Sequence, residues 1–93
     1  MLLPPGSTIG ILGGGQLGRM MAMAAARLGY KCHIFDPHEY PCAAEVSAHF
    51  TRAAFENEEA LRRFADQCEV VTYEFENIPA GPLTALRDKL VPG

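Results

Sequence analysis

The sequence predicts an α/β domain with an open parallel sheet of about four strands in the order 3-2-1-4 and helices on both faces. Three features carry this expectation. Thr8 to Leu12 is β-favouring, and it is followed by Gly13-Gly14-Gly15-Gln16-Leu17-Gly18. Gly13, Gly15 and Gly18 match the G-x-G-x-x-G spacing that follows a strand and opens a helix. Beyond this turn, short apolar runs alternate with helical segments in the order strand, helix, strand, short strand, helix, strand, helix. Right-handed crossovers then set the first and fourth strands side by side, and the chain leaves them in opposite directions, so a crevice opens beyond their carboxyl ends.

The elements follow in order. Met1 to Ser7 is a proline-bearing tail. In the glycine turn, Gly13 supplies the tight bend, Gly15 lets a ligand approach bare backbone, and Gly18 lets the helix lie close to the sheet. Gln16 to Leu28 is rich in Ala and Met and predicts the first helix, with Gly29 as its stop and Met20, Met21 and Met23 as packing residues. Lys31 to Phe35 is the second strand, closed by Asp36-Pro37. His38 to Glu45 reads as a loop in which Ala43-Ala44-Glu45 forms a single helical turn, and a short third strand lies around His49-Phe50-Thr51. Asn57 is an N-cap, Glu58 and Glu59 suit a first turn, and Leu61, Phe64 and Ala65 face the sheet while Arg62 and Arg63 face water. Glu69 to Phe75 is the fourth strand, and Pro82 to Leu90 a last helix.

Composition narrows the function classes. The 93 residues make one small domain, 48% hydrophobic, whose folding buries about two-thirds of its unfolded surface. The net charge of −3 comes with no basic stripe, which argues against nucleic acid as a partner. Cys32, Cys42 and Cys68 are odd in number and irregular in spacing, the pattern of reduced thiols in a cytoplasmic protein. The N-terminus has no charged region and apolar run of signal-peptide type, and no stretch reaches the length of a membrane span. Cys32-His33, His38 and Cys42 match no common zinc spacing, and alternation puts Cys32 and His33 on opposite faces of their strand.

The chemistry concentrates where the first and fourth strands end. The start of the first helix offers N–H groups and a dipole that favour anions or lone pairs. Topology sets the glycine turn against Glu74-Phe75-Glu76-Asn77, some sixty positions away. Glu76 would repel a phosphate but accept hydrogen bonds from sugar hydroxyls or amines, and Gln16 offers a donor and an acceptor. Together they suit a hydroxylated or amine-bearing ligand. Alternatively, Glu76 and Asn77 only cap the Ile78-Pro79 turn. Asp36, about twenty residues beyond the glycine turn, stands where dinucleotide enzymes hold a ribose hydroxyl, or else caps its own turn. A small NAD- or NADP-binding module and a non-catalytic interaction domain therefore stay open from the residues alone.

Gly-Ile-Leu-Gly-Gly-Gly-Gln-Leu-Gly-Arg-Met (10–20), Phe-Asp-Pro (35–37) and Val-Val-Thr-Tyr-Glu-Phe-Glu-Asn-Ile-Pro (70–79) closely resemble the N-terminal domain of the carboxyaminoimidazole ribonucleotide synthetases. These are the ATPase subunits of phosphoribosylaminoimidazole carboxylase, in the ATP-grasp superfamily. The resemblance covers Ile9 to Leu90 and implies a Rossmann-like pre-ATP-grasp domain over residues 1–93. It also implies a reaction: carboxylation of aminoimidazole ribonucleotide with bicarbonate and ATP, with magnesium on the nucleotide, in purine biosynthesis. In such a family this domain supplies one wall of the ribonucleotide site. Carried over by position, Gly15, Gln16, Leu17 and Glu76 are the implied substrate contacts, with no catalytic, cofactor or metal residue here, and Asp36 reverts to turn capping. Family members are several hundred residues long, so the central ATP-grasp and C-terminal domains are absent from this chain. The expectation is a fragment or excised domain that binds none of ATP, magnesium or bicarbonate and is inactive by itself, and whose full-length form is a cytoplasmic homodimer.

Overall fold

The computed structural model describes residues 3–73 of the chain. It contains strands β1 (Thr8–Leu12), β2 (Lys31–Asp36), β3 (His49–Arg52) and β4 (Val70–Tyr73). Helices α1 (Gln16–Arg27) and α2 (Glu58–Asp66) and a short 3-10 helix over Cys42–Val46 connect them. The strands form one sheet in the order β3-β2-β1-β4, every neighbouring pair parallel, as the sequence predicts.

Side-chain alternation sorts the sheet into two packed layers. Ile11, Cys32 and Ile34 point to one face and pack with Ala22 and Ala25 of α1 and with Ala43. Leu12, Phe35 and Val71 point to the other and pack with Leu61, Phe64 and Ala65 of α2 and with Cys68. Thus Cys32 lies in the α1 layer, while the His33 ring meets Phe64 edge-on in the α2 layer. Burial pushes the Cys32 thiol up to about 11, which leaves it a packed, protonated side chain.

The local signals act as their chemistry requires. The Asn57 side chain accepts the Ala60 N–H at 3.0 Å and caps α2, whose buried stripe is Leu61, Phe64 and Ala65. The α1 helix ends before Gly29, and the N–H groups of Leu28, Gly29 and Tyr30 take its last carbonyls, on Ala25 and Ala26. The helical turn expected at 43–45 is the 3-10 helix, and the third strand appears at His49–Arg52.

One expectation needs correction. Of the three α1 methionines, only Met21 packs against the sheet layer; Met20 is 65% and Met23 41% exposed. The buried stripe of α1 is Gly18, Ala22 and Ala25. These small residues, spaced four and three apart, bring the helix down onto the sheet and turn Met20 and Met23 to the opposite arc. Glu69 stands just before β4, with its N–H bonded to the Thr8 carbonyl at 2.9 Å. The expected end of the fourth strand at Phe75, the motif residues Glu76 and Asn77, and the last helix at 82–90 lie outside the described residues.

Candidate functional site

Strands β1 and β4 are adjacent and parallel, with Leu12 opposite Tyr73. Both therefore deliver the chain to the same edge of the sheet. At that edge β1 continues into the glycine turn. Gly13 has φ of +104°, a conformation that a side chain would strain, and its N–H donates to the Phe35 carbonyl at 2.8 Å. Gly14 is buried, and a Cβ there would come within 2.6 Å of Pro41 Cβ and 3.0 Å of Ile34 Cγ2. Its two neighbours in the spacing motif had obvious jobs. Gly14 falls between them, and its job emerges only from the chain folded over it.

Gly15 is the N-cap residue of α1 and uses no side-chain cap. Gln16 and Leu17 form the exposed first turn beyond it, Leu17 at 50% exposure. A cleft of about 270 Å³ opens beside the turn, lined by Gly14, Gly15, Asp36, His38, Pro41, Cys42 and Phe55. Of the predicted site residues, Gly15 lines this cleft and Gln16 and Leu17 lie on the adjoining helix turn; Glu76 lies outside the described residues.

Asp36 does more than cap its turn. It is 4% exposed. Its Oδ1 accepts the His38 N–H at 2.8 Å and lies 2.6 Å from His38 Nδ1, while its Oδ2 accepts the buried Gly14 N–H at 2.7 Å. The Asp-Pro pair announced the turn; the reach back to Gly14 had no sequence signal. Around the same loop, the Gly14 carbonyl accepts the Ala43 N–H at 2.9 Å, and Arg19 donates to the Cys42 carbonyl at 3.2 Å and pairs with Glu45 at 3.6 Å. The 3-10 helix is thereby tied to both the turn and α1. Among the described residues no three His, Cys, Asp or Glu side chains gather as a metal-binding group, and no helix is long and apolar enough to cross a membrane.

Residues 6–92 match the family model of the ribonucleotide synthetase preATP-grasp domain. The chain belongs to this family. Among relatives of the preATP-grasp domain, the bifunctional purine synthesis protein purC/E of Dictyostelium discoideum is 59% identical over 86 residues, which is 92% of this chain and 9% of that protein. The N5-carboxyaminoimidazole ribonucleotide synthase of Staphylococcus aureus is 49% identical over 85 residues, 90% of this chain and 22% of that one. The S. aureus synthetase solved with ADP superposes with a TM-score of 0.88 at 46% identity, over 97% of this chain and 25% of that one. The Aspergillus clavatus synthase, solved with ADP and 5-aminoimidazole ribonucleotide, superposes at 0.79 with 34% identity, over 94% of this chain and 23% of that one. The preATP-grasp domain thus spans a quarter or less of the length of these proteins.

Proposed function

We propose that this domain forms one wall of the ribonucleotide site of an ATP-dependent ligase that carboxylates aminoimidazole ribonucleotide with bicarbonate in purine biosynthesis. The observation that carries the reading is the β1–β4 pairing, which brings the glycine turn and the end of β4 at Tyr73 to one edge of the sheet. A relative solved with both ADP and 5-aminoimidazole ribonucleotide supports the substrate assignment. In this reading Gly15 offers backbone, Gln16 and Leu17 meet the ligand from the first turn of α1, and Glu76 accepts its hydroxyl or amine protons. The ATP, magnesium ion and bicarbonate are held by later domains of a cytoplasmic, homodimeric ligase, so residues 1–93 alone turn nothing over.

A dinucleotide-binding role is disfavoured by Asp36, whose two carboxylate oxygens already serve Gly14 and His38. The test is Glu76→Ala in a full-length ligase carrying this domain. Loss of a hydrogen bond to a charged acceptor costs about 1.5–3 kcal/mol, so the KM for ribonucleotide should rise roughly 10- to 150-fold with the KM for ATP unchanged. Equal weakening for both ligands would assign Glu76 to the fold instead. ATP- and bicarbonate-dependent turnover by the 93 residues alone would contradict the inactive-fragment reading.

A further inference from the structure

We propose that Asp36 is a positioning residue for the ribonucleotide wall: its buried carboxylate clamps the glycine turn in place and gives that turn a negative backing. The inference rests on the ribonucleotide reading above and adds a residue to it. Two consecutive amides of the turn are pinned to two consecutive residues at the end of β2. Gly13 N–H donates to the Phe35 carbonyl at 2.8 Å and Gly14 N–H to Asp36 Oδ2 at 2.7 Å. On the other side, the Gly14 carbonyl is taken by the Ala43 N–H at 2.9 Å. The residues that follow the clamp directly are Gly15 and Gln16, two of those assigned to the ligand.

A simple turn cap would need one acceptor and would stay near solvent. Asp36 is instead 4% exposed and reaches 22 positions back along the chain. Burying a carboxylate is costly unless donors satisfy it, and here three converge: Gly14 N–H, His38 N–H and His38 Nδ1. The turn has the spacing of a phosphate-binding loop, yet its second amide is spent on a carboxylate inside the protein. A fixed negative charge behind the turn opposes a pyrophosphate in front of it and favours the neutral or amine-bearing part of a ligand. The bond from Asp36 to the Gly14 amide, not an acid at the end of β2 as such, separates this turn from a dinucleotide loop of the same spacing.

The test uses a full-length ligase carrying this domain. Asp36→Asn keeps the size of the side chain but removes its charge and sets an amide NH2 where an acceptor is needed. The KM for ribonucleotide should rise roughly tenfold, with the KM for ATP and kcat within twofold. Asp36→Glu, which keeps the charge on a longer arm, should recover part of the loss. A parallel rise in both KM values, or a fall in kcat alone, would overturn the proposal. Should Asp36→Asn fail to fold, the wild-type enzyme decides by NMR. The Gly14 amide should exchange at least ~100-fold more slowly than an unprotected amide, and ribonucleotide but not ADP should shift the Gly14 and Gln16 resonances. Fast exchange at Gly14, or the same shifts with ADP, would overturn it. A wild-type ligase without ribonucleotide-dependent ATP hydrolysis would instead remove the functional reading, and the Gly14 exchange result would stand apart from it.

Discussion

Gly10→Ala puts a methyl group into the tightest part of the α2 layer. The new Cβ would lie 2.6 Å from Phe64 Cζ and 2.8 Å from Cys68 Sγ, against roughly 3.5–4 Å for a comfortable carbon contact. The Phe64 ring would have to retreat by about 1 Å. It has nowhere to go: it is fully buried, with the Phe35 ring centroid at 5.2 Å and the His33 ring at 4.8 Å. Overpacking of this kind costs about 1–3 kcal/mol, and replacing a strand glycine returns about 0.5–1 kcal/mol of backbone entropy. The net loss is up to about 2.5 kcal/mol, a substantial share of the roughly 5–14 kcal/mol expected for a chain of this length. Urea titration of the chain reads this as a lower midpoint with the slope unchanged. Phe64→Leu removes the clashing Cζ atom. In that background Gly10→Ala should cost at least ~1 kcal/mol less than in the wild type, a coupling that a double-mutant cycle measures directly. A stabilising Gly10→Ala, or strict additivity with Phe64→Leu, would refute the packing argument.

Two further outcomes follow from burial. His33 is 2% exposed, its Nε2 is paired with Thr51 Oγ1 at 2.6 Å and its Nδ1 has no partner among the described residues, and burial, with the neighbouring His49, lowers its pKa from 6.5 to about 4. The folded state therefore keeps this ring neutral while the unfolded chain takes up a proton. The contribution is fully present above pH 6.5 and is lost as the pH falls towards 4, about 1–3 kcal/mol in all. His33→Phe should flatten urea-midpoint profiles across that window, and an unchanged slope would refute the assignment. Met20 is 65% exposed on the arc of α1 away from the sheet, so Met20→Lys should shift the melting stability of the chain by no more than ~0.5 kcal/mol; a larger loss would mean that the methionine packs after all.

Local chemistry determined the elements and their order. Asn57, Gly29, the Asp36-Pro37 break and the β-rich runs act through near neighbours, so their effect can be read without a fold. The chirality of parallel crossovers then orders the strands, which is why the β3-β2-β1-β4 sheet and the edge shared by β1 and β4 were legible from the chain alone. The division of Cys32 and His33 between two layers followed from the period of a strand in the same way. Tertiary structure decided what depends on distant neighbours. The exposure of Met20 and Met23 was set by which arc of α1 carries Gly18, Ala22 and Ala25 against the sheet, and methionine is apolar on either arc. The tasks of Gly10 and Gly14 were set by Phe64, Cys68 and Pro41, residues that meet them only after the layers close. The same holds for Asp36: its second carboxylate oxygen finds the Gly14 amide because β2 ends beside the glycine turn, a proximity created by strand pairing and invisible to any local pattern.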